Sequence, residues 1–110
     1  MRIIDDWQYK FIERCLYNHA ELKTSELITE MQMAVAIAEA QCFFKGKHHE
    51  TMMEEFYFKA DDYRKTMTGA EHFRFVCEKI LFTEEPNGYV IRREIVYRVA
   101  MNCYKHGVFR

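Results

Sequence analysis

Apolar residues recur three or four positions apart along most of this chain, which is the spacing of one face of an α-helix. The first such run follows Asp5 and Asp6, either of which can cap a helix. Its apolar positions are Trp7, Phe11, Ile12, Cys15 and Leu16. A second run extends from about Glu21 to Phe44 and ends in Lys45-Gly46, a basic last turn followed by a glycine stop. The pattern therefore predicts a long helical hairpin over residues 1–46.

The second helix of this hairpin carries apolar residues on two nearly opposite sides. One stripe consists of Leu27, Met31, Ala34, Val35, Ala38 and Cys42. The other consists of Leu22, Met33, Ile37, Ala40 and Phe44. Because a helix that is apolar on two sides must be covered on two sides, we expect this helix either at the centre of a bundle or in a dimer interface.

Helical spacing continues through the rest of the chain. It predicts a helix over 47–59, a short segment over 60–68 and a helix over 69–81. The sequence FTEEPNG (82–88) is typical of a loop, and the last helix is predicted from Tyr89 to His106, with Gly107 ending it. The 69–81 helix, this loop and the last helix together form a helix-turn-helix-like pair.

Composition supports one helical domain. A chain of 110 residues buries one modest core, and one Pro with four Gly leaves few helix breakers. The shares of hydrophobic residues, 49%, and charged residues, 30%, are those of a folded protein and not of a disordered tail. We therefore expect a single all-α domain over 1–110, in which the hairpin of 1–46 packs on a helix-turn-helix-like group over 47–110.

The last predicted helix combines a core side with a basic, aromatic edge. On a helical wheel Ile91, Ile95, Val96, Val99 and Cys103 share one half. Tyr89, Arg93, Tyr97 and Tyr104 line an adjacent edge, and Arg92 falls near the middle of the apolar half, in the first turn. Such a helix has the build of a recognition helix that enters the major groove of DNA. The alternative is a solvated face, for example with Arg98 paired to Glu94 four residues earlier.

The other side chains assigned to DNA follow from this geometry. Arg74 and Lys79, on the preceding helix, are predicted to contact phosphates. Arg93, Asn87 and Tyr89 are predicted to probe the groove, while Arg92, Arg98 and Tyr97 add contacts to the backbone.

Charge is divided unevenly along the chain, although the net charge is only −1. Residues 1–63 hold seven Lys/Arg against twelve Asp/Glu, and residues 64–110 hold nine against five. The first part is therefore at −5 and the second at +4. This division suggests that the C-terminal part meets a polyanion, but it is equally compatible with attraction between the two parts.

The cellular location is inferred from the apolar segments and the cysteines of the chain. The start, MRIIDDWQYK, has no apolar core of a secretory signal, and the longest apolar-looking stretch, 31–44, is too short to span a bilayer. The four Cys, at 15, 42, 77 and 103, lie within helical patterns, which suits reduced, buried thiols. We expect a cytoplasmic protein that does not associate with a membrane.

Three stretches carry a resemblance to a known family: EEFYFK (54–59), CEKI (77–80) and VIRREIVYRVA (90–100). Residues 54–106 resemble the C-terminal half of phage late-gene transcriptional activators of the RinA/ArpU type, which look like region 4 of sigma factors. Arg92, Arg93 and Arg98 match their basic positions, and Ile95, Val99 and Ala100 match the apolar anchor. The resemblance implies a sequence-specific regulator of phage or prophage genes that works with host RNA polymerase.

Catalysis and cofactor binding find little support. Cys15 and His19 share one helical face, as do Cys103 and His106, so a Cys₂His₂ zinc site between the first and last helices is conceivable. The spacing is not that of a known zinc finger, and buried thiols beside surface histidines are the commoner arrangement. No phosphate-binding glycine loop and no Ser/His/Asp set is present, and we expect neither an enzyme nor a cofactor.

The sequence thus leads to one main hypothesis and one alternative. The main hypothesis is a homodimeric regulator that binds double-stranded DNA at two half-sites, with Leu27, Met31, Val35, Ala38 and Cys42 in the dimer interface or the core. The alternative is a phage-encoded protein-binding module, an inhibitor or assembly factor, that acts through its acidic N-terminal half. Outward-facing arginines favour the first, and arginines paired within the chain favour the second.

Overall fold

The computed structural model describes residues 4–109, and all of the regular structure among them is helical. The helices are α1 (Asp6–Tyr17), α2 (His19–Lys23), α3 (Ile28–Phe43), α4 (His48–Met52), α5 (Ala60–Tyr63), α6 (Gly69–Phe75) and α7 (Glu85–Lys105). The chain winds into wider π-helical turns directly after α4, over Met53–Phe58, and after α6, over Val76–Ile80. With no strand in this range, the predicted all-α class is confirmed. No helix among these residues is both long and apolar enough to cross a bilayer.

The predicted second helix is interrupted between Lys23 and Ile28. The Thr24 hydroxyl donates to the Glu21 carbonyl, at 3.2 Å. The Ser25 hydroxyl accepts from the Leu27 N–H, at 3.1 Å, and donates to the Glu30 carboxylate, at 2.6 Å. Short polar side chains that bond to nearby backbone compete with the helical pattern, so the chain turns here. The N-terminal part is therefore two longer helices separated by the short α2.

Helix α7 occupies the centre of the fold and packs on α1, α3 and α4, most extensively on α3. Its buried positions are Gly88, Ile91, Ile95, Val96, Val99, Ala100, Asn102 and Cys103. Polar contacts also join α7 to α3. The Asn102 side-chain amide donates to the Ala36 carbonyl at 3.0 Å, and Lys105 and His106 both contact the Glu39 carboxylate, at 3.2 and 2.6 Å. The two predicted parts of the chain thus share one core.

The two apolar stripes predicted on α3 have different surroundings. Met33, Ile37 and Ala40 are buried in the core, as is Phe44 just beyond the helix. Of the other stripe, Leu27 and its neighbour Ile28 are 63% and 73% exposed, and Met31 and Val35 are 50% and 46% exposed. Ala38 and Cys42 are exposed as well. Ile28, Met31, Val35, Ala38 and Cys42 are here called the outer α3 face.

Candidate nucleic-acid interface

The helix pair formed by α6 and α7 begins with a reciprocal cap. The Thr68 hydroxyl accepts from the Glu71 N–H, at 3.2 Å, and the Glu71 carboxylate accepts from the Thr68 N–H, at 3.0 Å. This capping box satisfies backbone donors that the first turn of a helix leaves without partners, and it fixes the start of α6 at Gly69. The predicted start of this helix is correct.

The predicted start of the last helix is wrong by four residues, because α7 begins at Glu85 and not at Tyr89. Pro86 lies in its first turn, where a missing N–H costs nothing. The connection from the π-helical turn to α7 is therefore only 81–84. In it the Thr83 N–H donates to the Cys77 carbonyl, at 2.9 Å, and the Asn87 amide donates to the Thr83 hydroxyl, at 2.8 Å.

Gly88 allows α7 to approach the preceding helix closely. A Cβ atom built on Gly88 would overlap the Cys77 sulfur and would lie 2.9 Å from the Phe73 ring. Such distances require the neighbours to move, so no larger residue fits without a shift of the helix pair. The glycine that reads as a turn signal in Pro-Asn-Gly therefore serves helix packing.

The part of α7 from Asn87 to Tyr97 exposes a mixed polar and aromatic surface. Asn87, Tyr89, Val90 and Arg93 are exposed, and Tyr97 is half-buried. Arg93 forms no ion pair with any residue between 4 and 109. These five residues are here called the outer α7 face.

A cleft of about 350 Å³ adjoins the outer α7 face. Its lining residues are Ile4, Asp5, Asp6, Tyr9, Tyr89, Arg93 and Tyr97. Tyr9 and Tyr97 meet edge to face, with ring centroids 6.4 Å apart, which holds the α1 side of the cleft against α7. Arg93 therefore lines the same cleft as Tyr9, Tyr89 and Tyr97.

Arg92 points the other way, into the molecule. Its guanidinium Nη2 lies 2.8 Å from the Glu13 carboxylate, and its Nε lies 3.3 Å from the Tyr57 hydroxyl. The Tyr57 hydroxyl also donates to Glu13, at 2.5 Å. The guanidinium lies over the rings of Phe56 and Phe73, 4.7 and 5.0 Å from their centroids. Arg92 is thus not on the outer α7 face, and we remove it from the set of DNA contacts.

Of the other predicted DNA contacts, Arg98 packs within the fold, whereas Arg74 and Lys79 are exposed. The Arg98 guanidinium lies 3.6 Å from the centroid of the Phe43 ring, where it covers the end of α3. It is therefore a packing residue in this structure. Arg74 is exposed and reaches Glu85 only at 3.9 Å, and Lys79 is exposed. Lys79 and Arg74 thus remain available on the helix before α7.

Carboxylates lie close to this basic surface. Glu84 and Glu85 lie at the start of α7, where their negative charges interact favourably with the positive end of the helix dipole. Glu78 is exposed next to Lys79, and Glu94 is exposed next to Arg93, with its carboxylate 3.2 Å from His49. The positive potential of the surface is therefore local to Arg93 and to the Arg74–Lys79 side, and it does not extend over the whole helix pair.

Metal binding by the predicted Cys and His set is not supported. Within 4–109 no three Cys, His, Asp or Glu side chains come together as a metal site. His19 stacks on Phe58 and His106 contacts Glu39. Burial raises the pKa of Cys15 to about 11 and that of Cys103 to about 12, so both thiols are protonated at neutral pH and serve as packing groups.

No protein-family model, curated protein or solved structure matches this chain. The resemblance to phage activators therefore stays a prediction. Sequence reasoning missed the Arg92–Glu13–Tyr57 contact, although a signal for it exists. Glu13 shares a helical face with Ile12 and Leu16, and Arg92 falls in the apolar half of α7, so each charge needed a buried partner.

Proposed function

We propose that this protein is a DNA-binding transcriptional regulator that reads double-stranded DNA with the outer α7 face. The observation that supports the proposal is Arg93, an exposed arginine that forms no ion pair within residues 4–109. It lines a cleft with tyrosines, in the N-terminal half of a helix that follows a four-residue connection. The rest of α7 is fixed in the core, as a recognition helix requires.

In the proposed complex, α6 crosses the DNA backbone and α7 presents its N-terminal half to the major groove. Arg74 and Lys79 bind phosphates and supply a salt-dependent part of the affinity. Arg93 binds a guanine edge through its two-pronged guanidinium, and Asn87, whose amide bonds to Thr83, probes the groove nearer the start of α7. Tyr89 and Tyr97 donate their hydroxyls to phosphates.

The biological setting follows from the sequence resemblance. We propose that the regulated genes belong to a phage or prophage and that host RNA polymerase is the second partner. A surface with three or four cations binds non-specific DNA weakly, so the bases that Arg93 contacts provide most of the discrimination between sites.

The test compares Arg93→Ala with Arg14→Ala, which removes an exposed arginine of α1 outside the outer α7 face. Binding to genomic fragments is measured by gel shift over a range of salt concentrations. We expect Arg93→Ala to weaken binding by about tenfold to a hundredfold and to relax the preference at one base position. We expect the slope of its salt dependence to change little, because Arg93 contacts a base and not a phosphate. Arg14→Ala should bind as the unmodified protein does.

Two results would contradict the proposal. The first is an absence of binding to any duplex at low salt. The second is an equal loss of affinity in the Arg93 and Arg14 variants, since that would show a general charge effect without a defined recognition surface.

The alternative, a protein-binding module, is favoured by a different observation. Glu21, Glu26, Asp61 and Asp62 are exposed and form no ion pair within the described chain, whereas Arg92 is used internally. An acidic surface of this kind suits a basic protein partner. Purification with and without nuclease separates the two functions, because DNA should be lost after nuclease treatment and a protein partner should be retained.

A further inference from the structure

We infer that the protein pairs with a second copy of itself through the outer α3 face, with the two α3 helices antiparallel. The five residues of this face, at positions 28, 31, 35, 38 and 42, are separated by three, four, three and four residues. This is the a/d spacing with which two helices pack side chains into each other's gaps. All five side chains are exposed in the single chain, and the opposite side of α3 is already buried against the core.

The order of side-chain sizes along α3 selects the antiparallel arrangement. The N-terminal half of the face presents Ile28 and Met31, and the C-terminal half presents Ala38 and Cys42, with Val35 between them. A parallel pair would set large against large at one end and leave small against small at the other. An antiparallel pair sets each large side chain against a small one and fills the space evenly, as close packing requires.

The charges at the two ends of α3 select the same arrangement. Glu26 is exposed just before the helix, and Lys45 and Lys47 are exposed just after it. Antiparallel helices bring the acidic end of one copy to the basic end of the other, whereas parallel helices bring like charges together. The helix dipoles also oppose each other favourably in the antiparallel pair.

The pair has two-fold symmetry, so each copy contributes the same patch. A face of this length extends over about 21 Å of helix, from position 28 to 42 at 1.5 Å per residue. One helix from each copy makes an interface at the small end of the known range, and we expect a dimer that dissociates at micromolar concentrations. Pairing through α3 uses none of the DNA-contacting residues and does not depend on DNA binding.

The first test measures mass in solution, by sedimentation over a range of protein concentrations, for the unmodified chain, Val35→Glu and Val90→Glu. Both variants place a carboxylate on a partly exposed valine, 46% exposed at Val35 and 38% at Val90, but only Val35 lies on the outer α3 face. We expect the unmodified chain and Val90→Glu to dimerise. We expect Val35→Glu to remain monomeric, with its helical circular dichroism unchanged and with the melting temperature of the unmodified chain at concentrations too low for pairing.

The second test determines the direction of the helices with a short bis-maleimide cross-linker. Cys42 is exposed, and Cys15, Cys77 and Cys103 are buried. In an antiparallel pair centred on Val35 the two Cys42 thiols are about 21 Å apart along the axis. Cys42 of one copy then lies opposite Ile28 of the other. We expect Ile28→Cys to cross-link efficiently through Cys42 of the second copy and the unmodified chain to remain uncross-linked.

Each other outcome overturns the inference. A chain that stays monomeric at hundreds of micromolar shows that the outer α3 face does not pair with a second copy. A dimer that persists in Val35→Glu shows that the copies meet elsewhere. Efficient cross-linking of the unmodified chain through Cys42 shows a parallel pair.

Discussion

Arg92 shows how the position of a side chain on its helix decides its role. Arg92 and Arg93 are neighbours in sequence but point about 100° apart around α7. Arg93 is exposed, whereas the guanidinium of Arg92 is enclosed by Glu13, Tyr57 and the rings of Phe56 and Phe73. The tandem arginines therefore have separate roles, one in the proposed contact with DNA and one in stability.

We expect Arg92→Ala to lower the free energy of unfolding by about 3 kcal/mol, because it leaves the Glu13 carboxylate without its cation in a partly buried position. Urea denaturation followed by circular dichroism measures this loss. Arg92→Lys is the matched control. It keeps the positive charge but loses the two-pronged contact and the stacking on aromatic rings, so its free energy of unfolding should lie between those of the unmodified protein and Arg92→Ala. A stability equal to that of the unmodified protein would show that the contact contributes nothing.

At the scale of helices, the sequence predicts which helices exist better than it predicts where they begin and end. The three-and-four spacing correctly indicates α1, α3, α4, α6 and α7. It misses the interruption at 24–27, because Ser25 and Thr24 act through local hydrogen bonds that no apolar pattern records. It also places the start of α7 late, since Pro-Asn-Gly has the composition of a turn and the contact of Gly88 with Cys77 is a tertiary feature.

Gly88 yields a prediction about the pairing of α6 and α7. Gly88→Ala should destabilise the protein by about 1–3 kcal/mol, because the added methyl group overlaps the Cys77 sulfur and crowds the Phe73 ring. Gly69→Ala is the matched control within a helix. A Cβ at Gly69 meets only the flexible end of Arg64, at 3.4 Å, so this change should be neutral or slightly stabilising.

Thermal denaturation of both glycine variants measures the difference. Equal stabilities would show that the two helices separate at this point without cost. A DNA affinity that falls in Gly88→Ala but not in Gly69→Ala would in addition indicate that the angle between α6 and α7 matters for recognition.

At the scale of the whole molecule, the division of charge predicted from sequence is partly internal. Glu13 and Glu39, of the acidic part, contact Arg92, Lys105 and His106 of the basic part. Attraction between the two parts therefore does contribute to the fold. Arg74, Lys79 and Arg93 are among the exposed cations that are left for a polyanion, as is Lys65, and no property of composition distinguishes them from Arg92 or Lys105.

Stability of the whole molecule should fall in mild acid because of two buried histidines. Burial lowers the pKa of His19 and of His72. His72 donates from Nε2 to the Glu55 carbonyl, at 2.9 Å, and its Nδ1 has no partner among the described residues, so a second proton would be buried without an acceptor. The unfolded chain then binds protons first as the pH falls below about 6.5, and the free energy of unfolding decreases from that pH downward.

Melting temperatures recorded between neutral and mildly acidic pH test this expectation. His72→Gln keeps an N–H for the Glu55 carbonyl but does not titrate. Its melting temperature should therefore decrease less toward acid pH than that of the unmodified protein. The exposed residue His48, changed to Gln, is the control and should leave the profile unaltered. An identical slope in His72→Gln would assign the acid sensitivity to other groups.

The packing of α3 against α7 has a consequence for protein engineering. Val99, Ala100 and Cys103 of α7 are buried, and α7 packs most extensively on α3, so a fragment that began at residue 47 would expose apolar surface and aggregate. The C-terminal segment therefore cannot be moved alone onto a foreign scaffold. Any change to the proposed DNA contact has to be made by substitution in the intact chain, at solvent-facing positions of α7.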